Sequence, residues 1–213
     1  FRGDPRTFEN GRRADVATDE QGTNYKLGVN YTPNDDTLLY ASFSQGFRLG
    51  FGQVLPPLDL CDVDNDGILD GTTNGKIQDR IESDTTNNLE LGAKLALLDS
   101  RLIVNAALYS IDWEGLPVRI RDGSDLCPGS TSIQVNAGEA RSQGIELETR
   151  YHATQSLQLS LSASYKESKL TTDDIGENGT WLPMSPRFNG NIGIEYNFEF
   201  AEYDGYLRTD YNY

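Results

Sequence analysis

The part of the chain best suited to chemistry is an acidic segment at positions 62 to 70, with the sequence Asp-Val-Asp-Asn-Asp-Gly-Ile-Leu-Asp. Three aspartates alternate there, and a glycine follows at the sixth position. Ca²⁺ takes about six to eight oxygen ligands, and alternating carboxylates before a glycine turn can surround one ion. The spacing predicts a structural calcium site with these ligands: Asp62, Asp64, Asp66, the backbone carbonyl of Ile68, and Asp70.

This segment is similar to the calcium loops of EF-hand and related extracellular repeat proteins, with one departure. An EF-hand loop has a bidentate Glu at its twelfth position, where this chain has Thr73. Glu82 and Asp84 are the candidates to complete the shell by folding back. The alternative is an acidic loop that holds no ion, because Asp, Asn and Gly are also ordinary loop residues.

The chain has two cysteines, and one of them directly precedes the acidic segment. Cys61 and Cys127 both lie in polar segments, and the sequence contains no CxxC motif and no cluster of Cys and His. In a secreted protein such a pair indicates a disulfide more than a metal site. We therefore predict a Cys61–Cys127 bond that ties two long loops together.

Composition excludes several classes of function. The 213 residues carry a formal net charge of -15, which argues against a nucleic-acid partner, because such a partner requires a basic surface. Mean hydropathy is -0.55, and no apolar run reaches the roughly eighteen residues of a transmembrane helix. The sequence offers no nucleophile–base set, catalytic metal cluster or phosphate loop, so it predicts no enzyme.

The elements that must position the acidic segment are strands, because apolar and polar residues alternate with a period of two. In the clearest case Ile145 and Leu147 alternate with Glu146 and Glu148. Around Ile103 the chain is apolar at consecutive positions, so the facing of that strand stays open. Eight runs of this kind begin near Tyr25, Leu39, Leu89, Leu102, Ile145, Leu157, Ile192 and Leu207.

The connections between these runs alternate between short and long. Runs of about nine to eleven residues span a bilayer when tilted, and outer-membrane barrels have short periplasmic turns and longer extracellular loops. A soluble sandwich has no reason to sort its loops in this way. We predict an all-β fold, an arc of about eight strands of a transmembrane antiparallel β-barrel. Residues 1–213 would form one partial barrel domain with extracellular loops at about 46–86, 114–140 and 168–186.

The two faces of such an arc would meet different surroundings. The apolar face would contact outer-membrane lipid, and the charged face would line a wet interior, because buried charges without partners are costly. Eight strands alone leave an interior just wide enough for side chains, so the long loops favour a wider barrel. The residues predicted to face the lumen are Glu90, Lys94, Glu146, Glu148 and Arg150.

Several ordered segments resemble the barrel domain of TonB-dependent outer-membrane receptors. They are Leu-Tyr-Ala-Ser-Phe-Ser-Gln-Gly-Phe-Arg at 39–48, Asn-Leu-Glu-Leu-Gly-Ala-Lys at 88–94, Asn-Ala-Ala-Leu-Tyr at 105–109, Asn-Ala-Gly-Glu-Ala at 136–140 with Gly-Ile-Glu-Leu-Glu at 144–148, and 183–187 with 191–198. No single segment is specific, but the ordered set is, and it covers most of residues 24–213.

The resemblance implies a 22-stranded barrel in the outer membrane of a Gram-negative bacterium, closed by an N-terminal plug that is not recognised in these residues. Such receptors take up scarce, bulky nutrients, most often ferric siderophores, with energy supplied through TonB. The lumen-facing charges would then wet or dock the plug. Two alternatives stay open: a passive or structural outer-membrane barrel, such as a porin or a scaffold for a surface complex, and a secreted calcium-binding β protein.

Overall fold

A computed structural model describes residues 22–72, 75–121, 132–172 and 178–213. Almost all regular structure there is strand, and the exception is a four-residue helix, α1. The elements are β1 (Lys26–Asn34), β2 (Thr37–Arg48), β3 (Phe51–Gly52), α1 (Leu58–Cys61), β4 (Arg80–Ile81), β5 (Asp84–Leu97), β6 (Leu102–Arg121), β7 (Ser132–His152), β8 (Leu157–Leu170), β9 (Phe188–Phe200) and β10 (Tyr203–Asn212).

Eight of these strands form one antiparallel sheet in the order β1-β2-β5-β6-β7-β8-β9-β10. Each long strand pairs with the long strand next to it in sequence, and β3 and β4 form a separate two-stranded sheet. Within the described residues the large sheet is not closed, because β1 and β10 lie at its two edges. The predicted all-β antiparallel arc is confirmed.

The sheet curls so that its polar face is concave. A space of about 600 Å³ on this face is lined by residues from β2 to the end of β10, among them Tyr40, Glu90, Glu146 and Asn212. On the opposite face large apolar side chains stand exposed, including Leu91 at 51%, Leu108 at 54% and Ile192 at 53%. This arrangement suits a wall with lipid outside and water or protein inside.

Cross-strand pairing establishes which side chains of β6 point outward, a point that the sequence left open around Ile103. Leu108 lies opposite Leu91 on β5 and Ile145 on β7, so it belongs to the outer face. Asn105 and Ala107, one residue out of phase, line the concave space.

Tyrosines lie over glycines of neighbouring strands on the concave face. Tyr40 is the cross-strand partner of Gly92, and its hydroxyl donates a hydrogen bond of 2.7 Å to Glu90 Oε1. A Cβ at Gly92 would come within 2.2 Å of the Tyr40 ring, and one at Gly144 would come within 2.8 Å of the Tyr109 hydroxyl. An aromatic ring that covers a strand glycine fills the missing side-chain volume and fixes register.

Two of the short turns are joined by one arginine. Leu98, Asp99 and Ser100 all have positive φ in the turn between β5 and β6. The next residue, Arg101, donates from Nη2 to the carbonyl of Ala153 at 2.7 Å and from Nε to the carbonyl of His152. Those carbonyls lie at the end of β7 and in the turn that follows it, so neighbouring short turns support each other.

One predicted loop is mostly strand. The segment 114–140 was expected to be an extracellular loop, but β6 continues to Arg121 and β7 begins at Ser132. Two apolar stretches within this segment pair with each other, with Val118 opposite Val135 and Ile120 opposite Ile133. The register shifts near Leu116. The result is a two-stranded arm, residues 116–121 and 132–138, that extends the sheet beyond its neighbours.

The other two long connections have narrower bounds than expected. The first runs from the end of β2 at Arg48 to the start of β5 at Asp84 and contains α1, β3 and β4. The last lies between β8, which ends at Leu170, and β9, which begins at Phe188. The one helix of the described residues, α1, is not long and apolar enough to cross a bilayer.

The contact between Tyr40 and Gly92 yields a prediction. In the full-length protein, Gly92→Ala should destabilise the folded barrel by about 1–3 kcal/mol, because the new methyl group overlaps the Tyr40 ring. The measurement is the temperature at which the barrel loses its heat-modifiable gel mobility. Gly28→Ala is the matched control, since a Cβ there meets only the Ala41 carbonyl at 3.8 Å. Equal behaviour of the two variants would contradict the packing described.

Candidate functional site

The acidic segment belongs to a folded cap that covers the two-stranded arm. Cys61 and Leu69 are fully buried against Ile133 and Val135 of the arm, and Ile77, Val118 and Ile120 pack around them. Such a cluster requires the loop and the arm to fold together, since neither alone would bury these side chains. The apolar residues inside an otherwise polar loop therefore determine where the aspartates lie.

Two amide side chains join the cap to the arm. Gln53 donates from Nε2 to the carbonyls of Gln78 at 2.6 Å and Gln134 at 2.8 Å, and its Oε1 accepts from the Gln134 amide at 2.8 Å. Asn136 accepts from the amide of Glu82 at 2.7 Å and donates to the carbonyls of Glu82 and Gly115. Each amide side chain thus takes the place of a backbone partner where the irregular cap meets the arm.

Three of the predicted calcium ligands come together. One carboxylate oxygen from each of Asp62, Asp64 and Asp66 lies within 4.8 Å of the others. Asp62 is 7% exposed, and its two oxygens accept hydrogen bonds from the amides of Asp66 at 3.0 Å and Gly67 at 3.2 Å. Asn65 and Gly67 have positive φ, which closes the turn.

The other two predicted ligands differ from these three. Asp70 is outside the group, and its Oδ2 accepts a hydrogen bond of 3.1 Å from the Val63 amide. This bond closes the loop from its far end. Ile68 donates its amide to Asp66 Oδ1 at 2.7 Å and forms an isolated bridge with Lys76.

Asp84 does not complete the shell. It is 3% exposed and holds Arg48 through two hydrogen bonds, Nη2 to Oδ2 at 2.6 Å and Nε to Oδ1 at 3.1 Å. The indole of Trp113 donates a third bond to Oδ2 at 2.6 Å, and the Arg48 guanidinium lies over the Trp113 ring. These contacts account for a buried carboxylate at the start of β5 without any metal ion.

The chemistry of the three aspartates fits a hard divalent cation. Three carboxylates in such a small volume repel one another, and in the described ranges no lysine or arginine forms an ion pair with them. Their remaining oxygens, with water and a nearby carbonyl, match the ligand type that Ca²⁺ prefers.

Cys61 lies at the base of the acidic segment with no exposed surface. No described cysteine is a free thiol. The predicted partner of Cys61 is Cys127, which lies outside the described residues. The Cys61–Cys127 bond therefore stays a prediction.

The predicted lumen-facing residues divide between two hollows of the concave face. Glu90, Lys94, Glu146 and Glu148 line the large space described above. Arg150 lines a smaller one of about 190 Å³ nearer the short turns, which Glu148 also borders. The alternation of the sequence was enough to place these residues on one face. The hydrogen bond from Tyr40 to Glu90 follows only from the register between strands.

The role of Gln53 in the cap gives a prediction. Gln53→Ala should loosen the cap, because it removes three hydrogen bonds between the loop and the arm. Hydrogen exchange of amides 61–72 in the full-length protein should become faster by about tenfold. Gln45→Ala is the control, since Gln45 bonds Asn87 within the barrel wall. Unchanged exchange in Gln53→Ala would show that the amide contributes little.

Comparisons with known proteins agree on one family. The family model described as TonB dependent receptor-like, beta-barrel matches residues 1–213. The chain is 27% identical over 193 residues to the metal-pseudopaline receptor CntO of Pseudomonas aeruginosa, covering 90% of this chain and 23% of that protein. It is 24% identical to the probable TonB-dependent siderophore receptor PiuA of Acinetobacter baumannii, covering 81% of this chain and 22% of that protein.

A solved structure with the same fold is the ferric yersiniabactin uptake receptor FyuA of Yersinia pestis. Its TM-score is 0.63 at 17% identity, with 88% of this chain and 25% of that chain covered. The chain thus spans about a quarter of the length of these proteins. With the whole chain matched by the family model, the chain belongs to the TonB-dependent receptor β-barrel family of the Gram-negative outer membrane.

Proposed function

We propose that the chain is part of a TonB-dependent transporter that takes up a scarce, bulky nutrient, namely a ferric siderophore or a similar iron complex. The observation that carries this proposal is the family match over the whole chain. The names of similar proteins support the substrate class, since they are a receptor for metal–pseudopaline and a probable siderophore receptor. In this proposal the chain supplies barrel wall and extracellular cap.

The concave face is suited to docking a plug domain from elsewhere in the protein. Three carboxylates and one ammonium line the main hollow, namely Glu90, Glu146, Glu148 and Lys94. An acidic wall of this kind favours a partner surface that presents Arg or Lys. TonB would act on the plug and not on these residues.

Two other functions fit less well. A secreted calcium-binding protein would have to expose a broad apolar face to water, and Leu91, Leu108 and Ile192 are all more than half exposed on one side of the sheet. A passive porin or scaffold has the same wall but lacks relatives among the similar proteins described. Those relatives are transport receptors, and we propose no catalytic role.

Transport by this mechanism predicts dependence on TonB. A host that lacks its own siderophore receptors should accumulate radioactive iron from a panel of hydroxamate, catecholate and carboxylate ferric siderophores when it makes the full-length protein. Deleting tonB should abolish uptake of the complex that is transported. Equal uptake with and without TonB would indicate a passive barrel, and no uptake of any complex would contradict the substrate class.

We further propose that the acidic segment binds Ca²⁺. Asp62, Asp64 and Asp66 supply the converging carboxylates, and Ile68 and Asp70 join them after a small shift of the loop on binding. A Cys61–Cys127 disulfide would restrict the cap and contribute about 2–4 kcal/mol to its stability. Peptide mapping without reductant should recover the two cysteines as one linked pair, and two free thiols would disprove the bond.

The proposed site should bind Ca²⁺ with the affinity of extracellular calcium modules. Isothermal titration calorimetry of the full-length protein should give a Kd of about 10⁻⁴ to 10⁻³ M. Asp64→Asn should weaken binding by about tenfold, because it removes one of three converging charges. Asp59→Asn is the control, since Asp59 lies in α1 outside the group. Binding that is unaffected by Asp64→Asn would place the ion elsewhere.

A further inference from the structure

Two Asn-Gly dipeptides lie wholly within the described residues, Asn178–Gly179 and Asn189–Gly190. This dipeptide is prone to deamidation, because glycine has no Cβ to keep its backbone nitrogen away from the asparagine side chain. The nitrogen can attack the side-chain amide carbon, and the asparagine is then converted to an acid. In a folded protein, the reaction depends on how firmly the structure holds the two residues.

The pair Asn189–Gly190 lies in β9, within the barrel wall. Gly190 forms two backbone hydrogen bonds with Tyr213, donating its amide at 3.1 Å and accepting at 2.9 Å. On the other side Asn189 is the cross-strand partner of Ser164 on β8, and its Nδ2 donates to the Ser164 hydroxyl at 3.5 Å. Pairing on both sides holds the backbone extended, so the nitrogen of Gly190 cannot turn toward the side chain unless the wall opens.

The pair Asn178–Gly179 lies in a turn of the long connection between β8 and β9. Gly179 has a φ of +87° and donates its amide to the carbonyl of Leu170 at 2.9 Å. Asn178 donates from Nδ2 to the carbonyl of Thr171 at 3.1 Å. Both bonds belong to a short extension at the end of β8, where Leu170 also donates to the carbonyl of Thr180. A single local opening of this turn therefore frees both reacting groups.

The two pairs differ in the free energy that is needed to open them. Both asparagines are exposed, so access of water does not distinguish them. Turns in loops open locally at a small cost in free energy, whereas strands inside a sheet open at a cost that approaches global unfolding. Deamidation from the open state should therefore be much faster at Asn178 than at Asn189.

We propose that Asn178 is a site of spontaneous deamidation in the folded protein and that the barrel wall protects Asn189. The Gly179 nitrogen forms a bond with Cγ of Asn178, the Cγ–Nδ2 bond breaks, and ammonia leaves with the proton of the Gly179 amide. Water then opens the five-membered imide at either carbonyl, which gives aspartate or isoaspartate. Water is the only co-reactant, since nothing is oxidised or reduced.

The modification changes the turn in two ways. Either product adds a negative charge to a chain whose formal net charge is already -15. Isoaspartate also carries the main chain through the side-chain carbon, which lengthens the backbone of the turn. The bonds from the turn to Leu170 and Thr171 then lose their spacing, so the extension at the end of β8 should loosen. Modified chains would accumulate as the protein ages.

The test incubates the full-length protein in detergent at mildly alkaline pH and follows the acid form of each asparagine by peptide mass mapping. In the folded protein Asn178 should convert at least about tenfold faster than Asn189, because only the turn opens readily. After heat unfolding in guanidinium chloride the two sites should convert at similar rates, since both asparagines then precede a glycine in an open chain. Asn189 thus serves as the matched control within the same molecule.

A variant next to the turn tests the role of local opening. Lys169 is the bridge partner of Trp181, and the cationic groups of Lys169 and Arg187 lie 4.6 Å and 4.7 Å from the centroid of its ring. Trp181→Ala removes these contacts, so it should speed the conversion of Asn178 and leave the conversion of Asn189 unchanged.

Each outcome decides the proposal. Fast conversion of Asn178 beside an intact Asn189 in the folded protein, with the difference lost on unfolding, would support it. A clearly smaller difference between the sites would overturn it. So would an Asn178 that stays intact in the folded protein for about a hundred times the half-time of the unfolded chain. An unchanged rate at Asn178 in Trp181→Ala would show that opening of the turn does not control the reaction.

Discussion

The structure depends on the requirement that every backbone N–H and C=O in a lipid-exposed wall be paired within the protein. A long antiparallel sheet satisfies it between neighbouring strands, and the pleat then sends alternate side chains to opposite faces. Ile145 and Leu147 must therefore meet whatever is outside, and Glu146 and Glu148 whatever is inside. The short turns, the curvature and the separation of charge from apolar surface all follow from this pairing.

Beyond the apolar band the same pairing continues without the lipid. The arm of β6 and β7 keeps its ladder, and the cap satisfies its irregular backbone partly through Gln53 and Asn136. At the base of this region the buried Asp84 joins β2, β5 and β6 through Arg48 and Trp113. The position of the acidic segment thus depends on contacts that are distant in sequence. A calcium ion would add stability to a loop that already has an apolar core.

The sequence was sufficient to predict the eight strands, the two faces and the grouping of Asp62, Asp64 and Asp66, because each follows from local spacing. It was not sufficient for the arm, since the pairing of Val118 with Val135 crosses a polar segment that resembles a loop. Asp84 was assigned as a spare calcium ligand because its partner Arg48 is far away in the chain.

The central claim is that consecutive residues of β7 face lipid and lumen in turn. Spin labels placed one at a time at positions 144 to 150 of the full-length protein in lipid bilayers test it most directly. Relaxation by oxygen, which dissolves in lipid, should peak at 145, 147 and 149. Relaxation by a water-soluble nickel complex should be low at those positions and should not share their maxima. Oxygen accessibility without a period of two, or maxima at Glu146 and Glu148, would contradict the account.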